Sequence, residues 1–147
     1  MSDPTPLRLM AEDTTDLQVI SAALQDSVTK AANLKFDRRT RRFSIELNRY
    51  RWEDDGDPKL RVRAILGVDS VLGVRVRGVP QNDPELVLSL LNVSFEADET
   101  PPGGKLTLLL AGDGEIELDV EAVDVTLLDS DYVWPTRHEP SHERRRR

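Results

Sequence analysis

The sequence predicts an α+β domain: about seven mainly antiparallel strands forming a curled sandwich or partly open barrel, with one N-terminal helix packed on it. Three observations carry that expectation. Lys105 to Leu128 alternates apolar and polar residues on both sides of a Gly112-Asp113-Gly114 turn, the pattern of a half-buried β-hairpin. Several other runs repeat with the same period of two. One stretch repeats as a helix does, with Leu17, Ile20 and Leu24 on one stripe and Ala23 beside them.

In chain order, Leu7, Leu9 and Ala11 start a short strand that Glu12 and Asp13 end. Thr15 and Gln18 have the spacing of a capping box and open a helix over Asp16 to Asp26. Its apolar stripe is narrow, so the helix needs a sheet to lie on. Ala32, Leu34 and Phe36 then alternate with polar residues, the run Arg38 to Arg42 turns the chain, and Phe43, Ile45 and Leu47 return as the second arm of a hairpin. Beyond Leu47 the apolar phase changes to Tyr50 and Trp52, which predicts either a bulge near Arg49 or two aromatics on the opposite face. Glu53 to Pro58 reads as a surface loop.

Leu60, Val62, Ala64 and Leu66 form one inward set, and Leu72, Val74 and Val76 form another. Paired as an antiparallel hairpin, they would place Arg61 opposite Arg77 and Arg63 opposite Arg75, four guanidinium groups on one face. A single long bulged strand from Leu60 to Val79 competes with that pairing. Leu86, Leu88, Leu90 and Asn92 suggest a further strand. In the last strand the inward set Ile116, Leu118, Val120 gives way to Val123, Val125, Leu127, which places a bulge between Glu121 and Ala122. Tyr50-x-Trp52 is echoed by Tyr132-x-Trp134; both read as amphipathic aromatics closing the ends of the core.

A chain of 147 residues fits one domain, assigned to residues 1–135, with residues 136–147 as a flexible tail. The absence of cysteine excludes disulfides and thiolate chemistry. No secretory pattern opens the chain, so the cytoplasm is the expected location. No apolar run approaches the roughly 20 residues of a membrane-spanning helix, and no membrane partner is expected. The net charge of −7 is segregated: residues 30–77 carry 13 bases and seven acids, whereas residues 78–143 carry two bases and 15 acids.

Catalytic, cofactor and metal sites are not expected. His138 and His142 are separated by Pro140, and Asp54, Asp55 and Asp57 lack the closing glutamate of a calcium loop. Glu115, Glu117, Asp119 and Glu121 form a regular ladder on a strand exterior. The candidate interaction surface is basic: Arg38, Arg39, Arg41, Arg42, Arg61, Arg63, Arg75 and Arg77, with Tyr50 and Trp52 beside them. It suits an acidic protein partner or a second copy of the chain. The acidic balance argues against nucleic acid. The alternatives are a small enzyme or small-ligand binder with its site in the mouth of the curled sheet, and a polyanion binder.

The segments RRFSIELNRYRWE, LRVRAILGVDSVLGVRVRGV, LSLLNVSFE and GGKLTLLLAGDGEIELDVEAVDVTLLD, with DLQVISAALQDS before them and VWPTRHEP after them, carry a resemblance to a family. In their order they are similar to a group of uncharacterised alphaproteobacterial proteins, a domain of unknown function. The resemblance covers nearly the whole chain. It implies a bacterial cytoplasmic single-domain protein and supplies no activity, cofactor or site residues.

Overall fold

Where apolar and polar residues alternate, strands form, and the computed structural model, which describes residues 5–137 and 139–140, has more of them than the expected seven. Among the described residues the order is β1 (Arg8–Ala11), α1 (Thr14–Leu24), β2 (Val28–Lys30), β3 (Leu34–Asp37), β4 (Arg42–Tyr50), β5 (Leu60–Val68), β6 (Val71–Arg77), β7 (Val87–Ala97), β8 (Gly104–Leu110), β9 (Glu115–Val120) and β10 (Val125–Pro135). They join in the spatial order β1-β10-β5-β4-β2-β7-β8-β9-β6, with β3 also on β4, and every pairing is antiparallel. The fold is mostly this antiparallel sheet, which is not closed, and it carries one α-helix.

The helix starts two residues earlier than expected because Asp13, not Thr15, caps it. The Asp13 carboxylate accepts the Asp16 amide at 2.8 Å, satisfying one of the N–H groups that the first turn leaves unpaired. It ends at Leu24, just before Asp26 turns the chain with φ 63°. Leu17, Ile20 and Leu24 are buried against the sheet as the stripe requires.

Two hairpins form as their sequences dictate. In β3–β4, Phe36 stands opposite Phe43. In β8–β9, Leu108 stands opposite Ile116, and Gly112 and Asp113 hold positive φ in the turn. In β7, a register shift between Leu90 and Asn92 corrects the expected inward set: Asn92 is exposed and Val93 is buried in its place.

The principal correction concerns Leu60 to Val79. β5 and β6 do not pair with each other; they are two segments of one long strand, broken at Asp69-Ser70, where Ser70 has φ 59°. β9 and β10 behave in the same way. The phase change between Glu121 and Ala122 falls at this second break, in residues 121–124 between β9 and β10. Together they make one ribbon: β5 pairs with β10, β6 with β9, and Asp69 N–H to Asp124 O (2.9 Å) and Glu121 N–H to Ser70 O (3.0 Å) carry the ladder across the break. The core is one cluster, and the helix that covers part of it packs chiefly on β7 and β1. It joins Ile45 and Leu66 on one side, Leu108 and Leu118 on the other, and Ile20 from α1.

Candidate functional site

The inward row of β4 does not stop at Leu47. Phe43, Ile45 and Leu47 are followed in the same phase by Arg49 and then Arg51, both buried. Tyr50 and Trp52 lie on the alternate positions, the second of the two expected arrangements. A buried guanidinium is costly unless its charge and all its donors are met. Arg49 makes five hydrogen bonds: Nε and Nη2 to Asp129 at 2.8 and 2.7 Å, Nη1 and Nη2 to Glu53 at 3.0 and 2.7 Å, and Nη1 to Tyr50 O at 3.3 Å. Every N–H of the group is engaged. Burial opposes the charge on Arg49, but the bonds and attraction of Asp129 and then Glu53 outweigh it and hold its pKa above the ordinary arginine value.

The Asp129 side chain is wholly buried, and β10 bulges immediately after it. The register with β5 shifts between Asp129 and Val133, leaving three residues of β10 opposite Arg63 alone. Asp129 also accepts the Leu7 amide at 2.9 Å, tying the N-terminal segment to the network. Arg51 donates to Asp54 at 2.8 and 3.2 Å and to Thr5 O at 3.2 Å. Glu53 loses solvation on burial, but Arg49 more than offsets that loss and keeps its pKa below the usual carboxylate value.

An open cleft of ≈1310 Å³ lies beside this network, between the N-terminal segment, the Glu53 to Pro58 loop and the β10 bulge, with Leu60, Val133 and Trp134 on its apolar wall. Of the carboxylates beside it, Glu53 is not tuned as a general acid. A general acid needs a raised pKa, whereas Glu53 is lowered. Among the described residues no group of three histidines or carboxylates could hold a metal ion. His138, His142 and the terminal arginines lie outside the described residues.

The structure separates the four arginines expected on one face. Arg61 and Arg63 lie on β5. Arg61 stands opposite Tyr50 on β4 with its guanidinium carbon 5.9 Å from the ring centre. Arg63 lies 3.5 Å from Glu46 and 5.1 Å from the centre of the Tyr132 ring. Arg75 and Arg77 lie on β6, directly opposite Glu117 and Glu115 of β9. Arg75 binds Asp119 through two bonds, 2.7 and 3.0 Å. Glu117 is covered by Lys105 at 3.0 Å, Arg77 at 3.0 Å and Arg75 at 3.8 Å. Lys105 first, and the two arginines with it, lower the Glu117 pKa; Arg75 lowers that of Asp119. The basic strand thus lies beside the acidic one and is neutralised by it.

The remaining expected residues divide. Arg41 pairs with Glu121, and Arg42 with Asp69 at 2.7 Å. Arg38 and Arg39 stand exposed on the β3–β4 turn with no side-chain partner among the described residues. Tyr50 packs edge-on to Trp52 with ring centres 4.7 Å apart, and Tyr132 to Trp134 at 5.2 Å. Trp52 Nε1 donates to Gln25 O at 2.9 Å, which ties β4 to the end of α1. Asp129 was missed in the sequence. The signal for it was the unbroken phase of β4: two arginines in a core row require buried carboxylates to meet them.

The fold and its charge network define an antiparallel sheet with one helix in which most of the described basic residues are spent on internal ion pairs. The chain belongs to the family described as "Protein of unknown function (DUF2948)", whose model matches residues 7–142. Neither the curated proteins nor the solved structures yielded a match. No helix among the described residues is long and apolar enough to cross a membrane.

Proposed function

We propose that this is a cytoplasmic, bacterial, non-enzymatic interaction or accessory module that offers the Arg38-Arg39 turn to an acidic surface on a protein partner. One observation carries the reading. Of the ten arginines between residues 30 and 77, eight have a carboxylate, carbonyl or aromatic partner, and Arg38 and Arg39 at the turn tip have none among the described residues. Free guanidinium groups on a tight turn are suited to bidentate capture of carboxylates. Arg41 and Arg42 hold that turn by anchoring its base to Glu121 and Asp69.

The test is co-purification from the native cells at low salt with two double variants. Arg38→Ala with Arg39→Ala is expected to lose the partner, and Arg75→Ala with Arg77→Ala to retain it. Capture that survives in the first variant, or that is insensitive to salt, overturns the reading.

The cleft beside Trp134 supports a second reading, a small-ligand binder in the mouth of the sheet. Asp131 also lines the cleft, and a thermal-shift screen of small cations and amines checks the reading: stabilisation lost in Asp131→Ala favours the ligand, and no shift rejects it.

A further inference from the structure

Among the described residues the sheet ends at β6, and no strand lies along its second edge. The other terminal strand, β1, has four residues, whereas β6 has seven, Val71–Arg77, four of them apolar and three of those valine. Along a strand successive residues turn their N–H and C=O groups to opposite edges, so alternate residues of β6 present unpaired groups outward. Among the described residues the one backbone bond recorded outside the β9 ladder is at its start, Val71 N–H to Arg41 O at 2.9 Å. Two of the large apolar side chains that the fold leaves exposed also lie here, Leu72 at 59% and Val76 at 37%. An open edge of this length and composition is a template for another strand.

We propose that the edge is covered by β6 of a second copy, antiparallel, about a two-fold axis through Val74. Strands that share a sheet share its faces, so paired residue numbers in such a dimer must sum to an even number. Centring on Arg75 would oppose the two Arg75 side chains directly, and centring on Gly73 would leave Val76 beyond the paired apolar residues. β6 leaves the regular β9 register between Val71 and Gly73, so regular pairing runs over Gly73–Arg77; centring on Val74 brings Leu72, the extra residue at that irregularity, beside Val76 of the partner, twice, so that the exposed apolar side chains cover one another. It also sets Arg75 across from Gly73, where a Cβ would have only the Asp119 carboxylate within 4 Å, at 3.8 Å. The arginines do not repel the pairing, because each is already bound to a carboxylate of β9. An acidic peptide fits this edge less well: its carboxylates would meet Leu72 and Val76, with the neighbouring guanidiniums already engaged. The contact is therefore apolar and backbone-mediated, distinct from the salt-dependent capture assigned to Arg38 and Arg39.

The chain contains no cysteine, so single cysteines report the geometry without background. Under mild oxidation Val74→Cys, although partly buried, is expected to form a disulfide-linked dimer at least tenfold faster than Val87→Cys, at a freely exposed site on β7. In sedimentation the unmodified chain is expected to form a dimer that high salt does not dissociate. Leu72→Lys with Val76→Lys is expected to be monomeric while keeping the parent circular dichroism. A chain that stays monomeric at all concentrations, or Val74→Cys linking no faster than Val87→Cys, overturns the proposal. If the lysine variant fails to fold, the cysteine comparison still decides. A dimer lost in Arg38→Ala with Arg39→Ala and kept in the lysine variant would overturn the edge pairing while supporting the charged turn.

Discussion

Arg49 and Asp129 lie 80 positions apart and meet as a wholly buried, two-bond ion pair, Nε to Oδ1 at 2.8 Å and Nη2 to Oδ2 at 2.7 Å. The pair closes the end of the inward row of β4 where a further apolar residue would otherwise stand. It links the strand to the β10 bulge and, through the Leu7 amide, to the N-terminal segment. Its energetic weight lies in its completeness, since a buried charge that loses its partner keeps the cost of desolvation without the compensation.

Asp129→Ala is therefore expected to destabilise the fold by about 3–5 kcal/mol, read from urea denaturation. Arg49→Ala combined with Asp129→Ala should cost less than the two single effects added, because each single change strands the other charge. Strict additivity would contradict a coupled network.

Two glycines test how backbone differs from side chain as a neighbour. A Cβ at Gly104 would lie 2.4 Å from Glu96 O and 2.6 Å from the Phe95 ring. The carbonyl belongs to the partner strand and cannot swing away, so Gly104→Ala is expected to cost about 1–3 kcal/mol. At Gly67 the nearest atom, 2.1 Å away, is Nη2 of Arg42, the far end of a flexible chain. Gly67→Ala should displace that guanidinium from Asp69 and cost under about 1 kcal/mol. Paired thermal melts distinguish the two, and equal losses would show that Arg42 is held as rigidly as backbone.

The acid limb of stability has a defined sign. Glu53, Glu117 and Asp119 are all held below their ordinary pKa values by neighbouring cations. On acidification the unfolded chain takes up these protons first. Their contribution is complete above the unfolded carboxylate range, near ~4, and is lost as the pH falls through the lower folded values. The urea midpoint is expected to be level from about pH 7 to about pH 5 and to fall below that. Arg75→Ala should flatten part of the fall, because Arg75 is the leading cause of the Asp119 shift. A midpoint that rises on acidification would contradict the assignment.

Trp52→Phe removes the donor to Gln25 O while keeping an aromatic ring against Tyr50. The expected loss is about 1 kcal/mol, seen as a lower melting temperature with an unchanged far-ultraviolet spectrum. A stability equal to the parent would show that the indole N–H bond adds nothing to the junction between β4 and α1.

The local pattern of the chain decided which residues become strand, which stretch becomes helix, and which positions face inward. Phe36 and Phe43 pair, as do Leu108 and Ile116, because each hairpin joins neighbours in sequence across a short turn whose geometry sets the register. The sequence could not say which distant strand lies beside which. Leu60 to Val79 is compatible with a hairpin or with one broken strand, since alternation specifies a face and not a neighbour. Tertiary pairing chose the broken strand, sending Arg61 and Arg63 to one part of the sheet and Arg75 and Arg77 to the acidic β9. For the same reason Arg49 became a core residue: its position was fixed by the phase of β4, but the buried carboxylate that makes that position tolerable comes from a bulge 80 residues further on.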